Sequence, residues 1–116
     1  MNEHLQLGIE GESLAEAWLI EKNYTILHKN WRSGRHEVDI IANKKNCLHF
    51  IEVKTRSSFQ MTNPEDRVNA AKLKNLKEAA MKYLEQNPQW SMIQFDVLSI
   101  VKMNDKVYYY FIEDVF

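Results

Sequence analysis

The chain has 116 residues, 45% of them hydrophobic and 27% charged, with a net charge of −1. That length suits one domain around one core, and near-neutrality argues against an indiscriminate nucleic-acid binder. The longest apolar run, Val107 to Ile112, is too short to span a bilayer, so the expectation is a single domain over residues 1–116 with no membrane partner. The opening MNEHLQLGIEGE is acidic and lacks the layout of a signal peptide. The single cysteine, Cys47, cannot form an internal disulfide, which fits a reducing cytoplasm. Charge is unevenly spread. Residues 1–27 hold one Lys or Arg against five Asp or Glu, whereas residues 28–56 hold seven against three.

Residues 8–22 predict a helix, with Leu14, Trp18 and Glu21 on one stripe and Ala15 and Leu19 beside it. Asn23 closes it before YTILHKNW, whose β-branched and aromatic residues suit a strand. Ser33-Gly34 marks a turn into the strand HEVDIIA, and NKKN a second turn into CLHFIEVKT. Connections this short predict an antiparallel meander. After the loop SSFQMTNPEDRV, a helix near residues 69–86 places Leu73, Leu76, Ala80 and Tyr83/Leu84 on one face and ends at Asn87-Pro88. QFDVLSIVK and KVYYYFI, joined at Asn104-Asp105, form a last hairpin. The order αβββαββ predicts an α+β fold, a mixed central sheet flanked by helices. Val107 to Ile112 is apolar on both faces, which predicts either packing on both sides or a homodimer contact.

The second and third strands carry acids in apolar surroundings, and a carboxylate leaves water at a high cost unless paired or bound to a metal. Alternation puts Glu37, Asp39 and Ile41 on one face, with Val38, Ile40 and Ala42 opposite; in the third strand Leu48, Phe50, Glu52 and Lys54 share a face. A hairpin turning at NKKN brings residues near 39–41 beside residues near 50–52, so Asp39 and Glu52 converge. Two carboxylates about 5 Å apart repel by about 3 kcal/mol at an effective dielectric of 20. Lys54, about 7 Å along the strand, is placed too far to neutralise both. A hard cation, Mg²⁺ or Mn²⁺, needs only one or two such carboxylates and activates water against a phosphodiester. Lys54 would orient that water or stabilise the developing charge. The competing reading is a solvated face with a modest ion pair.

These motifs resemble the PD-(D/E)xK nuclease superfamily, with its restriction-endonuclease-like fold, and within it the YraN-like family of bacterial proteins. The resemblance rests on Gly11-Glu12-Ser13-Leu14-Ala15, Asn30-Trp31-Arg32, His36-Glu37-Val38-Asp39-Ile40-Ile41 and Phe50-Ile51-Glu52-Val53-Lys54-Thr55-Arg56-Ser57, with Lys72 and Phe95-Asp96-Val97 beyond. It implies metal binding by Asp39, Glu52 and the carbonyl of Val53, and a catalytic Lys54. It implies that Glu12 corresponds to the helical Glu of archaeal Holliday junction resolvases, which cut DNA with Mg²⁺. His36 stands where the family has glycine, which predicts a narrower approach to the acids, and Phe59-Gln60-Met61 lacks a glycine expected there.

Read on its own, Glu12 also suits a helix start, where a carboxylate meets the helix dipole. Arg32, Arg35 and Arg56 could hold phosphates as guanidinium groups do. Lys72, Lys74 and Lys77 suit either phosphate contact or a solvated helix face. Glu37 suits a supporting ligand or a partner for Arg35 or Arg56. Trp31 suits the core or a nucleobase. Histidines 28, 36 and 49 and Cys47 lack zinc spacing. The expectation is a Mg²⁺-dependent endonuclease on structured or branched DNA; the alternative is a non-catalytic nucleic-acid-binding or partner-binding module that keeps the fold.

Overall fold

The computed structural model describes residues 3–57 and 70–116, with residues 3–6 described by backbone alone. The expected loop beyond Ser57, with Phe59-Gln60-Met61, lies outside the described residues. The elements are α1 (Glu3–Glu21), β1 (Thr25–Ser33), β2 (His36–Lys44), β3 (Cys47–Arg56), α2 (Ala70–Gln86), β4 (Ile93–Met103) and β5 (Lys106–Ile112). The order is the expected αβββαββ.

The turns follow from their residues. Lys45 and Asn46, and again Asn104 and Asp105, take left-handed φ values of 51–64°, as a two-residue type I′ hairpin requires at both central positions. Gly34, at φ 61°, opens the turn between β1 and β2. At the end of α1, Asn23 adopts φ 73° while Tyr24 N–H donates to Leu19 O and Asn23 N–H to Ile20 O, each at 3.0 Å. That pair of bonds is a Schellman cap.

The five strands lie in sequence order in one sheet. β1–β2, β2–β3 and β4–β5 are antiparallel, while β3–β4 is parallel. A parallel pair needs a long crossover, which the connection through α2 provides. α1 and α2 cover opposite faces. Ala15 and Leu19 of α1 pack with Ile40, Ala42, Ile51, Leu98 and Ile100; Leu76, Ala79, Ala80 and Tyr83 of α2 pack with Val38, Ile41, Leu48, Phe50 and Phe95.

The buried face of α1 is Gly11, Ala15 and Leu19 rather than the expected Leu14–Trp18–Glu21 stripe. Leu14 and Trp18 flank the core and Glu21 is exposed. The reason is close approach: a Cβ on Gly11 would overlap the Thr55 methyl of β3, so small residues one turn apart must face the sheet. Alternate residues of β5 enter the core. Val107, Tyr109 and Phe111 join the α1-side core, with Trp18 stacked on Tyr109 at 5.7 Å; Tyr108, Tyr110 and Ile112 are exposed.

Candidate functional site

The ladder between β2 and β3 runs from Lys44–Cys47 to Ile40–Ile51 and stops there, although both strands continue. The N–H of Val53 would then lack a strand partner, and a buried backbone donor needs one. Asp39 supplies it: Oδ2 accepts the Val53 N–H at 2.8 Å. The N–H and C=O of one strand residue project to the same side, so the Val53 carbonyl also faces this gap. A side chain has replaced the main chain as partner, and the strands part around it.

Across β1, Asn30 sits between the ladder pairs Lys29–Ile40 and Trp31–Val38, opposite Asp39, with φ 52°. Val38 joins Ile41 in the α2-side core, while Ile40 and Ala42 join the α1-side core. The alternation expected along β2 therefore breaks at Asp39, because the strand kinks where its ladder opens. Asp39 borders a cavity on each face of the sheet. One, of about 210 Å³ on the α2 side, is shared with Arg35, Glu37, Glu52, Lys72 and Asn75. The other, of about 110 Å³, is shared with Glu12, Ser13, Glu16, Lys29 and Asn30.

Burial and then the Glu52 carboxylate push the Asp39 carboxyl up from 3.8 to about 7, against the pull of the Val53 N–H. Glu37 and Glu12 add smaller repulsions. Lys54 does not stand off along the strand as expected: its flexible stem folds back and puts Nζ 3.7 Å from Glu52 Oε1. Its pKa is nevertheless lowered, by burial first and then by a hydrogen bond to, and repulsion from, Lys72 of α2; these outweigh Glu52 and Asp39.

Asp39 and Glu52 thus border one cavity, as their count from the hairpin turn predicts. Lys54 lies against Glu52, and Lys72 and Arg35 are at the same place. Glu12 is set apart: it meets Asp39 from the α1 side, where its Oε2 lies 3.4 Å from Asn30 Nδ2. Among the described residues no three His, Cys, Asp or Glu side chains gather as a metal cage. The donors at the gap are two carboxylates and the Val53 carbonyl beside an open cavity. That set fits Mg²⁺, which keeps several waters.

Other candidates lie elsewhere. Arg32 Nη2 is 3.5 Å from Glu37 Oε2 on an exposed surface, so Glu37's partner is Arg32 rather than Arg35 or Arg56. Arg56 donates from Nη2 to Ser99 Oγ at 3.2 Å. His36 turns toward α2, with Nε2 3.7 Å from Glu78 Oε2, and does not border the cavity. Trp31 packs edge-on to Tyr83, and Lys77 lies over the Phe116 ring. Sequence reasoning missed the buried pair of His49 Nδ1 and Asp96 Oδ2, 2.6 Å apart. Asp96 also accepts from Gln94 Nε2 and from the Asp114 N–H, tying the C-terminal residues to β4. Only the β3–β4 register brings these groups together, and no local pattern announces it.

Among the described residues, a five-stranded mixed sheet between two helices, with its acids where β2 and β3 part, defines a protein of the restriction-endonuclease-like fold. The chain belongs to the family described as "Uncharacterised protein family UPF0102", whose profile matches residues 11–100. A UPF0102 protein of Phocaeicola vulgatus is 41% identical over 101 residues, covering 87% of this chain and 84% of the relative. A UPF0102 protein of Flavobacterium psychrophilum is 40% identical over 116 residues, covering 100% and 98%. Among the described residues no helix is long and apolar enough to cross a membrane.

Proposed function

We propose that this protein is a Mg²⁺-dependent endonuclease that hydrolyses phosphodiester bonds of structured or branched DNA. The observation that carries the reading is the Asp39–Glu52 pair at the mouth of a cavity lined by cations. Two acids held together so that one keeps its proton near neutrality are poorly arranged for themselves and well arranged for a divalent cation. Bound there with Asp39, Glu52 and the Val53 carbonyl, Mg²⁺ would polarise a phosphoryl oxygen and acidify water.

The chain's own groups do the rest. The Val53 N–H fixes Asp39 Oδ2 and so fixes the carboxylate's orientation. Lys54, held by Glu52, presents an ammonium where negative charge grows on the phosphoryl oxygens. Water oxygen bonds to phosphorus as its proton passes to solvent, the bond from phosphorus to one sugar oxygen breaks, and that oxygen takes a proton from solvent. Arg35, at the cavity rim, suits two-point contact with a flanking phosphate, and Lys72 adds a second cation on the α2 side.

The test uses labelled linear, flapped and four-way-junction DNA with Mg²⁺ or Mn²⁺, and with EDTA as control. Cutting by wild type and by the surface variant Lys82→Ala, lost in Asp39→Ala and Glu52→Ala, is the expected result. Cutting that survives both acid substitutions rejects the site. Salt-dependent binding without cutting of any substrate moves the reading to a non-catalytic DNA-binding module.

A further inference from the structure

Another cavity lies at the far end of α2. It has a volume of about 300 Å³ and is lined by Asn46, Gln89, Trp90 and Ser91. Asn46 belongs to the turn that joins β2 to β3, and residues 89–91 to the connection from α2 to β4. Trp90 packs against the α2-side core. The cavity is therefore on the same side of the sheet as the one that Asp39 and Glu52 share with Lys72 and Asn75. From Lys72 to Gln86, its last residue, α2 rises by about 20 Å at about 1.5 Å per residue, and that sets the separation of the two cavities.

None of its four side chains is engaged in a hydrogen bond, an ion pair or a ring contact among the described residues. Trp90 differs in this from Trp18, stacked on Tyr109, and from Trp31, edge-on to Tyr83. One indole N–H, two side-chain amides and a hydroxyl thus converge on one space, and none carries a charge. An anion or a metal would find no counter-charge there, and a purely apolar ligand would strip water from the amides without replacing it. A flat, neutral ring with hydrogen-bonding edges uses every part. Its face stacks on the indole, and its edge meets amides of the kind that pair with nucleobases at two points. A sugar ring shares some of this chemistry, but Lys45, exposed beside Asn46, adds a contact for the phosphate that accompanies a base in a strand.

Resting on the proposed function for the nature of the ligand, we infer that this pocket seats one unpaired nucleobase of the DNA bound at the Asp39–Glu52 cavity. The pocket then fixes how far from that base the chain cuts. A stacked strand covers about 20 Å in about six nucleotides at about 3.4 Å each, and an extended strand covers it in fewer. The preferred substrate has an unpaired base within about six nucleotides of the cut, as flaps and junctions do, whereas an intact duplex offers none.

The experiment measures fluorescence anisotropy of a DNA duplex with a labelled single-stranded extension, with Ca²⁺ in place of Mg²⁺. One base of the extension at a time is replaced by an abasic site. The expected scan has one sensitive position, where loss of the base weakens wild-type binding about tenfold, as for one stacked base. Trp90→Ala should bind the intact probe about tenfold more weakly and give a flat scan, and Trp90→Phe should restore the sensitive position. Gln89→Ala, at an exposed residue outside the core, should weaken the intact probe and leave the abasic one unchanged, which separates recognition from folding. A flat scan with wild type overturns the inference. So does a loss that is equal on intact and abasic probes in both alanine variants. An indole N–H signal of Trp90 that moves in NMR spectra with methyl glucoside and not with adenosine marks a sugar site and overturns it as well. The two readings fail separately. A sensitive position without cleavage of any DNA removes the nuclease and keeps the pocket; cleavage with a flat scan does the reverse.

Discussion

Replacing Asp39 by Asn removes one ionisable oxygen and keeps the shape. The amide oxygen can still accept the Val53 N–H that Asp39 Oδ2 accepts at 2.8 Å, so the gap between β2 and β3 keeps its partner. What changes is charge. The folded chain holds the Asp39 proton to about pH 7, against 3.8 for an ordinary carboxyl, chiefly because of burial and then Glu52. Folding is therefore helped by protonation: that help is complete below pH 3.8, falls as pH rises, and is gone above about 7. At about 1.4 kcal/mol per pH unit, the full span is worth about 4 kcal/mol, and the part between pH 5 and pH 8 about 3 kcal/mol. For a domain of this size, 1 kcal/mol moves Tm by about 4 °C. Asp39→Asn should thus gain about 10 °C on wild type between pH 5 and pH 8. The assay is calorimetry of both proteins in EDTA at pH 5, 6, 7 and 8. A gap that stays constant over this range, or one that narrows, would refute the electrostatic account of Asp39.

Lys72→Met should raise the pKa of Lys54 toward its ordinary value, since Lys72 helps to lower it; a titration of the lysine side-chain signals by NMR that shows no rise would break the link between the two. Asp96→Ala should destabilise the fold by about 3–5 kcal/mol, as removing one partner of a buried pair does. It leaves His49, Gln94 and the Asp114 N–H without their acceptor, and urea denaturation is the check. A loss under 1 kcal/mol would mean that water replaces the carboxylate without cost.

Much of the fold is legible locally because its turns are. Asn46 and Asn104 tolerate left-handed backbone, and once the turn at Lys45-Asn46 is placed, counting back along both strands puts Asp39 near Glu52. The kink at Asp39 is not legible that way. Alternation assumes that each residue pairs through its main chain, and it cannot register a strand whose side chain has taken over the ladder. Asn30 in the middle of β1 is the one local sign of it, an amide residue suited to φ > 0 opposite the acid. The fold-back of Lys54 onto Glu52 escapes for a different reason, since strand spacing fixes where Cβ atoms lie and not where a four-carbon stem ends. The buried His49–Asp96 pair depends on the parallel register of β3 and β4, set by contacts far apart in the chain.

If Asp39 served only to cap the Val53 N–H, an acid would be the wrong residue. Asn or Ser could accept the same bond without a carboxylate beside Glu52, and the sequence instead holds a group that destabilises the metal-free fold throughout the neutral range. Above that range a cation between the acids would turn the repulsion into shared coordination. A ligand that binds the folded chain alone stabilises it by RT ln(1 + [L]/Kd). Ten millimolar Mg²⁺ against a Kd of 1 mM would give about 1.4 kcal/mol at pH 8, or about 5 °C in Tm. Asp39→Asn should show almost none of that gain. A wild type that gains nothing from Mg²⁺ at pH 8, above the Asp39 pKa of about 7, would leave the pair as a destabilising cap and remove the physical ground for a metal at this site.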